Sequence, residues 1–472
     1  MRKSRIINLI IGPVLFALCC FLIPVSAFET LASRAAIGTV AWLAYWWVTR
    51  PVDLAVTAFL PIAVNAFFAM APMGTVIANY SSETILLLLG SSILAVSIEK
   101  TGLDKRIAAK FLSIIGENLR IQLLFWFLLS AFLSAILPNA VVCATITPIA
   151  VSMLKYVGEG EIKESKIGSK LLLYIAYAVG LGGLFSPLGG AMNLVTVDYL
   201  QQVTGEEFMY YKWVIRFFPI IVVLLVSNII FMLRNVKKTD VLPGSKNYFK
   251  EQYKQMPPMT KEEKLSLVLF LTATVLSFTR SLYDDLLPGL KPAYVFISCA
   301  VISFLVTDKK KERVMHWKEV QGKIVWELIF VFAGGLAAGS LINESGAADA
   351  IGTLVAGLGL TGGIMTVFAI VAVTLLLSDV TSNTATAATA LPIVISIVQG
   401  LGLNPVPWIY IATIGVNLSY MLPTSIRAIP VGYGLEPKFM LKEGWKMSIM
   451  VIILMTAVSF LLLKYWPTFS TI

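Results

Sequence analysis

Residues 375–392 read LLLSDVTSNTATAATALP, a polar passage set deep in an apolar run. In hydrocarbon each unpaired polar group costs several kcal/mol. A stretch so rich in Ser, Thr and Asn, with one Asp, must therefore face protein, water or a bound ligand. Its centre, Ser382-Asn383-Thr384, sets two hydroxyls and an amide side by side between small residues. Such a peptide breaks a helix and aims backbone dipoles and side-chain oxygens at one point. That is a way to hold a small ion or a carboxylate near the bilayer midplane.

The rest of the chain fixes the class. It has 472 residues, 57% hydrophobic and 14% charged, with a mean hydropathy of +0.82. No soluble domain of this length has that composition, so an all-α polytopic membrane protein is expected. Net charge is +10, but no basic domain stands outside the apolar runs, which argues against a nucleic-acid partner. Cys19, Cys20, Cys143 and Cys299 all lie in apolar segments and read as small core residues. The single histidine, His316, lies in a charged loop, and this argues against a zinc site. The membrane runs hold no Ser–His pair and no G-x-S-x-G nucleophile motif, so no enzyme is expected.

Apolar runs occur at 6–28, 35–49, 53–73, 84–99, 121–154, 170–196, 213–234, 265–281, 292–307, 324–342, 361–399, 408–435 and 445–465. The first reads as an uncleaved span rather than a signal peptide, although Val25-Ser26-Ala27 has the small-residue pattern of a cleavage site. Residues 100–120 read as an amphipathic surface helix. The charged segment 235–264, with Pro243, Pro257 and Pro258, reads as a polar linker near the middle of the chain.

Lys and Arg cluster at 2–5, 100–120, 155–170, 234–264, 309–323 and 438–446, and none occurs from 324 to 426. These clusters all fall on the cytoplasmic side only if 121–154 and 361–399 enter and leave on one side, as re-entrant helical hairpins. About eleven spans remain, with the N-terminus cytoplasmic and the C-terminus outside a cell (inner) membrane. Arg34, Lys212, Arg280 and Lys291 are outer-side exceptions.

An internal repeat supports the hairpins. Gly90, Gly102, Asn139, Pro148 and Ile149 recur as Gly334, Gly346, Asn383, Pro392 and Ile393, without a gap. Residues 84–154 and 328–398 are thus two copies of one unit, of opposite orientation by the charge count. Inverted repeats with paired broken helices suit alternating access, with the site where the repeats meet.

These residues resemble the divalent anion/sodium symporter (DASS) family of di- and tricarboxylate carriers. SNTATAATALP, the glycine-rich FVFAGGLAAGSLINESGAADAIG, the GGLFSPLGG break and the YMLP break carry the likeness, which covers nearly the whole chain. The resemblance implies a homodimer working as an elevator, with scaffold parts 1–120 and 265–360. It places transport parts at 121–234 and 361–472 and a cytoplasmic linker at 235–264. It also implies two Ser-Asn-Thr tips that hold carboxylates and line two Na+ sites. The chain departs from the family at Pro138-Asn139-Ala140, at Gly189-Gly190-Ala191-Met192-Asn193 and at Ile426-Arg427-Ala428-Ile429. Sodium symport and anion exchange both stay open.

By this resemblance Ser382, Asn383, Thr384, Asn139 and Thr424 face the substrate. Ser378, Thr381, Asn383 and Ser425 fall at one Na+ site, and Ser134 and Asn139 at the other, with Ser186 nearby. Arg427 is expensive at membrane depth unless paired or solvated. It either grips the anion and supplies the charge of a missing sodium, or it snorkels to water. Asp379 is open between pairing with Arg427, a cation or proton role, and a helix cap. Glu327 reads as a surface partner of Lys323, and Asp53 of Arg50. Rival expectations are an inorganic anion such as sulfate, or cation/proton antiport.

Overall fold

The computed structural model describes residues 2–159, 161–234, 236–307, 312–356 and 361–472. Among these residues the fold is helical, with only isolated β-bridges at Asn118–Val241 and Thr307–Arg313. The long helices are α1 (Arg2–Leu22), α2 (Leu31–Thr49), α3 (Glu83–Thr101), α4 (Leu103–Leu112), α5 (Leu119–Ile136) and α6 (Asn139–Tyr156). They continue as α7 (Lys166–Gly183), α8 (Ala191–Thr204), α9 (Tyr210–Leu233), α10 (Ser245–Gln255), α11 (Lys261–Phe278) and α12 (Pro292–Ser303). The second half adds α13 (Trp326–Glu344), α14 (Ala347–Ala356), α15 (Ile364–Val380), α16 (Asn383–Gly400), α17 (Val406–Asn417) and α18 (Pro437–Tyr465). Among the described residues seven helices are long and apolar enough to cross a membrane. Shorter apolar helices, including α12, α15 and α17, accompany them.

The repeat governs the geometry. Helices α3 to α6 recur as α13 to α16 at an offset of 244 residues, with ends matching to within one residue. Gly102 and Gly346 end the first helix of each copy in the left-handed region, at φ 77° and 76°, a conformation glycine adopts without steric cost. In both copies the next two long helices form a hairpin across a two-residue break, Leu137-Pro138 and Thr381-Ser382. The breaks have different causes. Pro138 holds Leu137 extended, at φ −101° and ψ 151°, and cannot donate to a helix. At the second, Ser382 caps the N-terminus of the new helix, accepting from the Ala385 N–H at 3.1 Å.

Residues 121–154 and 361–399 are thus helical hairpins, α5–α6 and α15–α16. Two further segments pack against the protein. In residues 100–120, Leu103, Asp104, Ala108, Ala109 and Leu112 of α4 are buried. The linker 235–264 holds a helix of its own. Its helix α10 packs Phe249 edge-on against Trp126, ring centroids 5.7 Å apart, and Ser245 accepts from Gln122 at 2.9 Å. The aromatic pair Tyr248-Phe249 outweighed the surrounding charge.

The basic clusters tie to one another. Lys100 pairs with Glu319, Lys323 with Glu99 at 2.6 Å, Arg106 with Glu263 at 2.7 Å, and Arg234 with Glu443 at 2.7 Å. Two of the exceptional cations are neutralised separately, Arg280 by Glu207 at 3.0 Å and Lys291 by Glu83 at 3.0 Å, while Lys212 donates to the Ile472 carbonyl at 3.0 Å. The surface pair expected between Lys323 and Glu327 does not form, since Lys323 reaches Glu99 instead.

Candidate functional site

Both hairpin tips border one cavity of about 600 Å³. Pro138, Asn139 and Ala140 come from the first tip, and Ser382, Asn383 and Thr384 from the second. Thr424 and Ser425 reach it from an unwound stretch between α17 and the 3-10 turn Ser425–Arg427. Here the chain is strained, for Ser425 sits at φ 51°, unusual for a residue with a side chain. The N-termini of α6 and α16 meet the cavity wall at Asn139 and Asn383. Their free N–H groups and positive dipole ends suit an anion.

An asparagine network joins the tips behind this wall. The Asn139 carbonyl oxygen accepts from the Ser134 hydroxyl at 2.6 Å, and that hydroxyl also reaches the Val179 carbonyl at 2.8 Å. Asn139 lies so close to the backbone of Gly183 that a Cβ there would stand 2.5 Å from the amide nitrogen. Asn193 donates to the carbonyls of Gly183, at 2.6 Å, and Ser186, at 2.8 Å. Asn417 donates to the Asn193 oxygen at 2.8 Å, and the backbone carbonyl of Asn417 accepts from Asn383 at 3.2 Å. Ser186 bonds to the Ala135 carbonyl at 2.5 Å, fixing the break of α7 against the first tip. Asn417 was missed by sequence reasoning. Its signal was an amide ending an otherwise apolar helix just before a Pro-containing break.

Arg427 is fully buried and does not line the cavity. Its guanidinium donates to the backbone carbonyls of Ser419, at 3.0 Å, and Leu422, at 3.3 Å. It also reaches the Asn383 side-chain oxygen and the Thr424 hydroxyl, each at 3.4 Å. A positive charge thus sits in a nest of oxygens directly behind the second tip. It is neither snorkelling to water nor open for a bidentate grip in this conformation.

Asp379 forms no ion pair with Arg427 within 4 Å among the described residues. One carboxylate oxygen accepts from the N–H groups of Tyr420, at 2.8 Å, and Met421, at 2.9 Å, and its backbone carbonyl accepts from Thr424 at 3.0 Å. It splints the unwound stretch to α15. Ser378 donates to the Val416 carbonyl at 2.7 Å. Thr381 bonds to the Leu377 carbonyl at 2.8 Å and to Thr386 at 2.6 Å, and faces a separate apolar pocket. Of the four residues expected around one cation, Asn383 and Ser425 border the cavity while Ser378 and Thr381 do not.

A second cavity of about 590 Å³ lies against α6, lined by Asp104, Thr145, Ser152, Tyr248 and Gln252, and Ala140 borders both. Thr145 donates to Asp104 at 2.8 Å. Burial pushes the Asp104 carboxyl above its ordinary value against this hydrogen bond. No cluster of metal-ligating side chains occurs among the described residues.

A helical membrane protein with two repeat-related hairpins whose polar tips close on one cavity is built as a transporter. The chain belongs to the citrate transporter (CitMHS) family, whose pattern it matches over residues 44–415. It is 29% identical to the sodium-dependent dicarboxylate transporter SdcS of Staphylococcus saprophyticus, over 97% of this chain and 91% of that protein. It is 28% identical to SdcS of Staphylococcus aureus, over the same shares. Its fold is similar to that of the Alcanivorax borkumensis YdaH transporter, with a TM-score of 0.54 at 10% identity, covering 84% of this chain and 88% of that one. It is accordingly a multi-pass membrane transporter and not an enzyme.

Proposed function

We propose that this protein carries small dicarboxylates across the membrane by alternating access, with Arg427 acting as a built-in cation. The observation that carries this reading is the guanidinium of Arg427, held by the carbonyls of Ser419 and Leu422 and touching Asn383. Carbonyl and amide oxygens converging beside a hairpin tip are what a hard monovalent cation requires. Here a tethered cation fills that place. The substrate then sits at the two helix N-termini, with Ser382, Thr384 and Asn139 as donors and Thr424 bordering it. The Ser134–Asn139 side retains oxygens for one Na+, in keeping with relatives named sodium-dependent.

A second mode, anion exchange, is favoured by the same observation. A tethered cation cannot leave with the substrate, so an empty carrier would recross with an uncompensated buried charge. In this reading the N-terminus is cytoplasmic, the C-terminus is outside, and two copies pair through their scaffold parts, 1–120 and 265–360. The parts 121–234 and 361–472 then move as an elevator, and 235–264 stays on the cytoplasmic side.

The test is uptake of labelled succinate, malate and citrate into proteoliposomes, with and without a sodium gradient and with and without internal anion. Sodium-driven uptake into empty vesicles identifies symport with one remaining site. Uptake only into anion-loaded vesicles, indifferent to sodium, identifies exchange. No uptake of any of the three overturns the carboxylate reading and brings inorganic anions forward.

A further inference from the structure

With Arg427 turned into its oxygen nest, the wall of the 600 Å³ cavity holds two charged side chains among its lining residues, Arg50 and Glu327. Sequence reasoning gave each a surface partner. Neither has a side-chain hydrogen bond or ion pair among the described residues. Both are exposed on the cavity wall.

Each is placed by its helix. Arg50 ends α2 in the left-handed region, at φ 48°, with its N–H bonded to the Trp46 carbonyl at 2.8 Å, and Pro51 follows. The proline forbids helix continuation and the backbone turns there, which throws the Arg50 side chain off the helix end. Glu327 stands in the first turn of α13, where a carboxylate is favoured by the helix dipole. Its repeat mate tells what is unusual. Glu83, in the first turn of α3, is neutralised by Lys291 at 3.0 Å and accepts from Tyr294 at 3.1 Å. Glu327 holds the same helical position without such partners and is turned to the cavity instead.

We propose that Arg50 and Glu327 form a charge filter that selects dicarboxylates over tricarboxylates. The inference rests on the carboxylate reading above. Arg50 attracts one carboxylate as the anion moves toward the tips. Glu327 shares the wall with it and repels any further negative charge. A dianion can place its carboxylates at the tips and at Arg50, away from Glu327. A trianion of similar size cannot keep all three away from a fixed carboxylate in one cavity. Unpaired charges separated by water and a low-dielectric wall interact strongly enough to discriminate several-fold and are screened by salt.

The test is labelled succinate and citrate exchange in proteoliposomes at neutral pH, at low and high concentrations of an inert salt. Wild type is compared with Arg50→Gln, Arg50→Lys and Glu327→Gln. Arg50→Asn serves as a second variant, since asparagine tolerates the left-handed backbone. Glu327→Gln should lower the KM for citrate about fivefold while leaving that for succinate within about twofold. Arg50→Gln should raise the KM for succinate about fivefold, with Arg50→Lys recovering most of it. Both effects should shrink at high salt. An unchanged citrate-to-succinate ratio in Glu327→Gln, or an unchanged succinate KM in both neutral Arg50 variants, overturns the filter. A wild type that exchanges neither anion overturns the carboxylate reading itself.

Discussion

The two hairpins match in length to within one residue and share the break position and a proline at the same place in the second arm, Pro148 and Pro392. Their tips nevertheless differ in chemistry. At the second tip Ser382 caps the helix, Thr384 adds a hydroxyl, and Arg427 stands behind Asn383. At the first, Pro138 offers no side-chain cap, Ala140 offers no hydroxyl, and Asn139 leans on Ser134 and Gly183. The arms differ in tethering too. Thr145 of the first hairpin donates to Asp104 on α4, whereas the matching Thr389 bonds within its own helix, to the Ala385 carbonyl at 2.8 Å, and Ala348 stands where Asp104 would be. Helix breaks set where two tips meet, and the side chains at the breaks set what chemistry each tip presents. One backbone plan thus accommodates two unequal tips.

The sharpest way to break this comparison is to remove each asparagine. Asn383→Ala should lower carboxylate uptake about a hundredfold or more, because it removes a cavity residue and leaves the Arg427 charge short of a partner. Asn139→Ala should cost about tenfold. Equal losses in vesicle uptake would refute the inequality of the tips.

Arg427→Ala comes next. Uptake at low sodium should fall about tenfold or more, and millimolar-range sodium titration should restore part of it as the emptied oxygens accept a free cation. A variant that loses uptake without gaining sodium dependence would remove the built-in cation from the account.

The first tip can also be made to resemble the second. The double change Pro138→Ser with Ala140→Thr supplies the missing hydroxyls and should strengthen sodium stimulation about three- to fivefold. No change in the sodium response would mean that Asn139 and the backbone already define that half-site.

The smallest effect concerns the tether. The folded state holds Asp104 with its carboxyl raised, so it binds the proton more tightly than the unfolded chain does. Stability is therefore lost as pH rises past the unfolded carboxyl value and is not penalised below it. Asp104→Asn still accepts from Thr145 and should raise unfolding stability in detergent by about 1 kcal/mol at neutral pH, with the gain fading in acid. A gain that grows on acidification would contradict this sign.

Much of this was legible in the sequence, for physical reasons that can be named. The gapless spacing of Gly102, Asn139 and Pro148 against Gly346, Asn383 and Pro392 reported two copies of one backbone, and the helix ends follow it. The polar passage at Ser382 reported a surface that lipid could not cover. The setting of Arg427 was not legible, because its partners are the carbonyls of Ser419 and Leu422, which carry no side-chain signature. Nor was the position of Arg50 and Glu327 on the cavity wall, since Lys323 turns to Glu99 and Asp53 makes no ion pair with Arg50 among the described residues. The packing of α10 hid for a related reason: Tyr248 and Phe249 were outnumbered locally by lysines.

The glycine face of α13 carries one more consequence. Gly334 lies against Ala58, Gly335 against Ala388 of the second hairpin, and Gly339 against Tyr199 of α8, each so closely that a methyl group has no room. Interlocking side chains resist sliding because every knob must climb out of its hole. A glycine face presents almost no relief to climb. If the two parts slide past one another as proposed above, this contact would serve as a plain bearing rather than a gear, and Gly335→Ala, whose methyl would meet that of Ala388, is expected to act as a brake on turnover.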